Sequence, residues 1–233
     1  MIRFRPLAIG LTAALSAVAF AAIQSPSEAS SFNAKALVGT FKLDPGACQG
    51  YTVSGTYFRM ISPGGSVAHG SFFSNPDSLC SNKTYTLAVP GRQGGLVTGR
   101  YQPDPKPAFN AQGGALASAI VQPQGFTAIN FSIATNKTDP QTGASVPAPS
   151  IVDKNGKLSG QIEAWSAAWN KLYFNQGSPK PGGSHPGLTR PLTGTYNASS
   201  HAFVITWTSQ VVGGPFNGFT GYWHLSGIFV PSK

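Results

Sequence analysis

Only 10% of the 233 residues are charged, against roughly a quarter in an ordinary domain, so the chain cannot clothe a helical bundle in Glu, Lys and Arg. Sixteen Lys and Arg face seven Asp and Glu, a formal charge of +9. The bases are scattered with no run of three, which argues against a nucleic-acid stripe or a basic membrane helix.

Arg3 and Arg5 precede an apolar run from Leu7 to Ile23, with small-residue cleavage sites at Ala19-Phe20-Ala21 and Ser27-Glu28-Ala29. A transmembrane anchor is the alternative, but the run is short for a full span. The reading is a signal peptide over 1–29 and one all-β domain over 30–233, secreted or periplasmic. Cleavage after Ala29 leaves fourteen bases and six acids, a net charge of +8. Cys48 and Cys80 are the only cysteines, and in an exported chain such a pair reads as a disulfide. A two-thiol metal site or a catalytic thiol would want a nearby His, and none is close in sequence.

Taken in order, Leu37 to Leu43 reads as a first strand and Tyr51 to Ile61 as a second. Ser62-Pro63-Gly64-Gly65 turns the chain, and Ser66 to Phe73 returns. Lys83 to Val89 and Leu96 to Tyr101 read as a hairpin. Residues 102–112 form a proline-rich loop, since proline leaves ladder donors missing. Ala115 to Val121 is strand or short helix. Phe126 to Ala134 alternates, and 135–157 reads as a long polar loop. Leu158 to Phe174 fits a helix face or a strand face; its context favours strand. Residues 175–191 form a Pro/Gly loop before a final hairpin. In that hairpin Phe203, Ile205 and Trp207 share one face, and Trp223, Leu225 and Phe229 share another. A Gly-x-aromatic beat, as at Gly39-Phe41, Gly55-Tyr57, Gly221-Trp223 and Gly227-Phe229, marks points where strands bend. The fold class is all-β and antiparallel, an up-and-down barrel or a two-sheet sandwich of about ten strands.

The run Trp207-Thr208-Ser209-Gln210-Val211-Val212-Gly213-Gly214, followed by Trp223 and Leu225, resembles the tryptophan–glutamine–glycine-glycine–tryptophan strand pair of avidin-like β-barrels. Gly160 to Trp169 looks faintly like that family's preceding tryptophan strand. The resemblance covers about 30 residues. It implies a barrel holding biotin, with Trp207, Trp223 and one of Trp165 or Trp169 facing the cavity. After Gly39-Thr40-Phe41 the chain continues Lys42-Leu43, without the family's polar ligand contacts.

Catalytic signatures are thin. Glu163 beside Trp165 could carry a raised pKa and act as a general acid, or simply sit on the surface. A glycosidase needs a second carboxylate, and only Asp139 and Asp153 are near in sequence. His69, His185, His201 and His224 share no metal-ligand spacing, and His224 points away from the Trp223 face. Pro63-Gly64-Gly65-Ser66 and Pro181-Gly182-Gly183-Ser184 are turns that could form anion-binding nests. Neither a cofactor nor a metal is indicated.

The leading function is a secreted, disulfide-linked binding protein for a small apolar or ring-shaped ligand or a sugar. Next comes a non-enzymatic surface or structural protein, and last an exported hydrolase using Glu163. Trp165, Trp169, Tyr173, Trp207, Gln210, Tyr222 and Trp223 are the candidate ligand residues. The alternative is that the four tryptophans are core.

Overall fold

Alternation in the last 32 residues builds the centre of the molecule. Phe203, Ile205 and Trp207 are buried and Val204 and Thr206 half-buried; Trp223, Leu225 and Phe229 are buried and Tyr222, His224 and Ser226 half-buried. A computed structural model describes residues 34–183 and 186–232, so the leader and His185 lie outside the described residues.

Among the described residues there are seventeen strands and no helix, more and shorter strands than the ten expected. The first eight are β1 Lys35–Ala36, β2 Gly39–Leu43, β3 Ala47–Gln49, β4 Thr52–Ser54, β5 Tyr57–Ser66, β6 Gly70–Phe72, β7 Thr86–Leu87 and β8 Gly95–Val97. Then come β9 Gln124–Phe126, β10 Ile129–Thr135, β11 Ser150–Lys154, β12 Lys157–Gln161, β13 Trp165–Trp169 and β14 Leu172–Asn175. The last are β15 Arg190–Tyr196, β16 Ala202–Gln210 and β17 Thr220–Pro231.

The large antiparallel sheet runs β1-β11-β12-β15-β16-β17-β2-β8 and curls into a half-barrel, with β5 also on β17 and with β6 and β7 on β5. A four-stranded sheet, β14-β13-β10-β9, shares one aromatic core with it: Phe58 meets Phe126 and Phe131, and Trp165 meets Trp207 and Trp223. The β3–β4 ribbon is tied down by the Cys48–Cys80 disulfide, with Cα atoms 5.6 Å apart.

β17 holds the sheet together. One edge pairs with β16 from Thr220 to Ile228. The other pairs with β5 from Thr220 to His224, then with β2 from Gly227 to Pro231. At the changeover the buried Thr56 hydroxyl donates to Ser226 O at 3.3 Å and accepts from Ser226 N at 3.4 Å, while Asp44 N donates to the same carbonyl at 2.8 Å. Gly227 permits the approach, because a Cβ there would lie 1.9 Å from Lys42 O.

Several local expectations need correction. Residues 83–101 are not a hairpin: β7 pairs with β5 and β8 with β2. Residues 91–93 instead donate their amides to the carbonyls of 118–120, and 115–121 is irregular, with isolated bridges at Ala115 and Val121 and no continuous strand or helix. The expected turn at 62–65 lies inside β5, which is bulged between Ile61 and Ser66; the chain reverses at 67–69. The expected loop 135–157 contains β11, which forms a hairpin with β12 through Asn155-Gly156. Both turn residues have positive φ, 55° and 79°, the type I′ geometry that Asn-Gly favours. Leu158 to Phe174 is strand rather than helix, as its context favoured, but in three pieces, β12, β13 and β14, parted by turns at 163–164 and 170–171.

Candidate functional site

Trp165, Trp207 and Trp223 meet between the two sheets, with Trp169 nearby in the same core. Trp207 and Trp223 are direct cross-strand neighbours with stacked rings, 5.9 Å apart and 15° from parallel. Trp165 stands edge-on to both, at 5.2 and 5.4 Å. Trp169 packs on Phe216 at 5.3 Å. All four are buried. Gln176 satisfies two of the indoles: its carbonyl accepts from Trp207 Nε1 at 2.9 Å and its Oε1 from Trp223 Nε1 at 3.4 Å. Trp169 Nε1 donates to Phe126 O at 2.8 Å, whereas Trp165 Nε1 is buried without a partner.

A cavity of about 40 Å³ lies beside this cluster, bordered by Phe58, Phe126, Trp169, Phe174, Phe216 and Trp223, with Gln176 as its polar member. A dry cavity that admits a benzene ring measures roughly 150 Å³. At about 40 Å³ this cavity is too small for such a ring. In this conformation the tryptophans join the two sheets.

The other three candidate ligand residues lie elsewhere. Tyr173 packs on Phe109 at 5.2 Å. The Gln210 amide covers Gly187 and donates to Gly218 O at 3.5 Å. Tyr222 is on the opposite face of β17 from Trp223 and belongs to a second cluster.

That second cluster covers the outer face of β5 and β17. Because Phe58, Met60 and Trp223 face the core, Tyr57, Arg59, Tyr222 and His224 face outward. The register sets Arg59 opposite Tyr222 and Tyr57 opposite His224. The Tyr57 ring stacks on His224 at 4.5 Å and meets Tyr85 edge-on at 5.2 Å. The Arg59 guanidinium carbon lies 3.2 Å from the Phe72 ring centre and 4.2 Å from that of Tyr85. Its Nη2 donates to Thr84 Oγ1 at 2.9 Å, and its buried Nε has no partner.

The cluster's protonation follows from burial. His224 Nδ1 lies 3.0 Å from Gly55 O. A carbonyl only accepts, so Nδ1 carries the proton and Nε2 is left as a lone-pair acceptor. Burial holds His224 below the ordinary histidine range. Burial, then the neighbouring Tyr222, pushes the Tyr57 phenol up, so it stays protonated. Burial also lowers Arg59, and its neighbours Tyr85, Tyr57 and Tyr222 partly offset this. The result is a half-buried surface of three phenols, an imidazole acceptor and a guanidinium. Sequence reading placed Tyr57 in a strand without assigning it a site role. The missed signal is the parity of Tyr57 and Arg59 against Phe58 and Met60.

Glu163 is half-buried. Burial raises its carboxyl, the Gly182 amide lowers it by donating to it, and the Asp139 charge raises it further. Gly182 and Gly183 both have positive φ, so the chain's own carboxylate sits at the Gly-Gly turn suspected of binding an anion.

No protein-family model, no curated protein and no solved structure matches this chain.

Proposed function

We propose that the protein is an exported binding protein that holds a ring-shaped polar ligand, foremost a sugar carrying an acidic group, on the outer face of β5 and β17. The disulfide supports folding in an oxidising, extracellular or periplasmic compartment. The observation that carries the reading is Arg59, a half-buried guanidinium set against the Phe72 and Tyr85 rings with Tyr57 and Tyr222 beside it. Arginine fits a carboxylate or sulfate in a planar, two-pronged way, and aromatic edges and faces accept sugar C–H groups. His224 Nε2 and the phenol oxygens are acceptors for ring hydroxyls. The excess of basic residues across the chain favours an anionic ligand.

A second reading places a small apolar ring between the sheets, supported by the aromatic cavity beside Trp169 and Trp223. Biotin is a natural probe for it, given the likeness of the Trp207–Trp223 strand pair to avidin-like barrels.

Calorimetric titration with uronic-acid oligosaccharides, neutral sugars and biotin tests both readings. Saturable heat with the acidic sugars, lost in Tyr85→Ala at unchanged melting temperature, supports the outer face. Binding of biotin alone, insensitive to Tyr85→Ala, supports the cavity. No binding to any member rejects both.

A further inference from the structure

Lys180 is the one lysine among the described residues that is buried, 2% exposed, although it lies in a Pro/Gly-rich loop. Its ammonium donates to the Asn175 carbonyl at 2.6 Å and to the Asn175 side-chain Oδ1 at 2.8 Å. The other half of that amide, Nδ2, points to Asp139 Oδ1 at 3.5 Å. Asn175 and Asp139 are themselves buried, at 4% and 3%. Asp139 is fixed by Thr142, whose amide and hydroxyl both donate to Oδ1 at 2.7 Å. A buried amine, the carbonyl end of a carboxamide and a carboxylate at its nitrogen end are thus aligned in one water-poor site.

We propose that Lys180 and Asn175 form an intramolecular amide cross-link, with Asp139 as the proton carrier. Lys180 Nζ, once deprotonated, attacks Asn175 Cγ, the carbon that bears the Oδ1 it already contacts. The Nζ–Cγ bond forms and the Cγ–Nδ2 bond breaks. Asp139 takes the proton released by the attacking amine and delivers it to Nδ2, which leaves as ammonia. No oxidant or further reactant is consumed. The side-chain amine and carboxamide become one secondary amide plus ammonia. Positioning contributes most to such a reaction, since the groups are held in contact rather than meeting by diffusion. Burial assists the first step, because desolvation lowers the Lys180 pKa to about 8 and leaves an appreciable neutral fraction near neutral pH. The competing loss of ammonia, closure of Asn175 on the next backbone amide, is hindered because Gln176 N is engaged by Trp165 O at 2.9 Å. The bond would close the 175–180 loop covalently.

Mass spectrometry of a tryptic digest tests this. Lys180 precedes Pro181 and Arg190 precedes Pro191, so trypsin spares both and the two partners lie in the peptide Leu172–Lys233. The peptide should be lighter by one ammonia and yield no fragments from cleavage between Asn175 and Lys180. Lys180→Arg should restore the full mass and linear fragmentation; Asp139→Asn should slow the loss in freshly purified protein. If Lys180→Arg does not fold, acetylation of denatured wild type decides instead: a cross-linked Lys180 stays unmodified and a free one reacts. A wild-type peptide at full mass after prolonged incubation at mildly alkaline pH overturns the proposal. So does an ammonia loss that persists in Lys180→Arg, which would mark backbone closure at Asn175.

Discussion

The imidazole of His224 lies flat on the phenol of Tyr57, with ring centres 4.5 Å apart and planes within 8°. The two are cross-strand neighbours on β17 and β5, and the stack exists because β17 turns Trp223 inward and His224 outward. The contact sets up the first prediction. Burial holds the folded-state pKa of His224 below its unfolded value. As pH falls below about 6.5, the unfolded chain gains a proton that the folded chain refuses, so stability falls with falling pH in that window. In His224→Asn, which can still donate to Gly55 O, the decline in melting temperature between about pH 7.5 and 5.5 should be shallower than in wild type. Equal slopes would contradict it.

The tryptophans should not be equivalent. Trp165 and Trp207 are both buried, but Trp207 Nε1 has a partner in Gln176 O and Trp165 Nε1 has none. Replacement by Phe removes similar volume at each site. At 207 it also strands a buried carbonyl; at 165 it removes an unpaired donor. Trp207→Phe should therefore cost about 1–2 kcal/mol more than Trp165→Phe in denaturant unfolding. The reverse order would be incompatible with these contacts.

Gly227 sits where β17 exchanges β5 for β2. A methyl group there would overlap Lys42 O and force the ladder apart. Gly227→Ala should destabilise by about 3 kcal/mol, the upper part of the range for overpacking. Thermal melts of this variant beside Gly143→Ala, where no atom lies within 4 Å of the added carbon, separate the steric overlap from the strain of positive φ shared by both sites.

Cys48–Cys80 anchors the β3–β4 ribbon to the loop before β7. Cys48→Ser should lose about 3–4 kcal/mol on the chain-entropy model, and adding reductant to the unfolding titration should make no further difference in that variant. A stability equal to oxidised wild type would show that the bond constrains nothing.

How much of this was legible in the residues depended on range. The β16–β17 hairpin follows from the alternation of Phe203, Ile205 and Trp207, and the all-β class from composition. Asn155-Gly156 was a readable hairpin signal, obscured by the polar, proline-containing stretch before it. The division of β17 between β5 and β2 was not readable, since it depends on Thr56 and Ser226 meeting across nearly the whole chain. The outer cluster was hidden for the same reason. Tyr57 and Arg59 become neighbours of Tyr222 and His224 only once Phe58 and Trp223 are both known to face inward. The buried Lys180 was hidden differently: nothing local distinguishes it from an ordinary solvated loop lysine.

The Tyr57–Arg59–Tyr222–His224 face is the proposed seat of an acidic sugar. Residue-resolved NMR titration of isotope-labelled protein with a uronic-acid oligosaccharide tests it most directly. Saturable shifts are expected, centred on the amides of Tyr57, Arg59, Tyr222 and His224. In Arg59→Gln, folded at unchanged melting temperature, the Kd should rise roughly tenfold or more, in line with a lost charge-assisted hydrogen bond. Shifts confined to Trp169, Gln176 and Phe216, or no saturable shift at all, would contradict it.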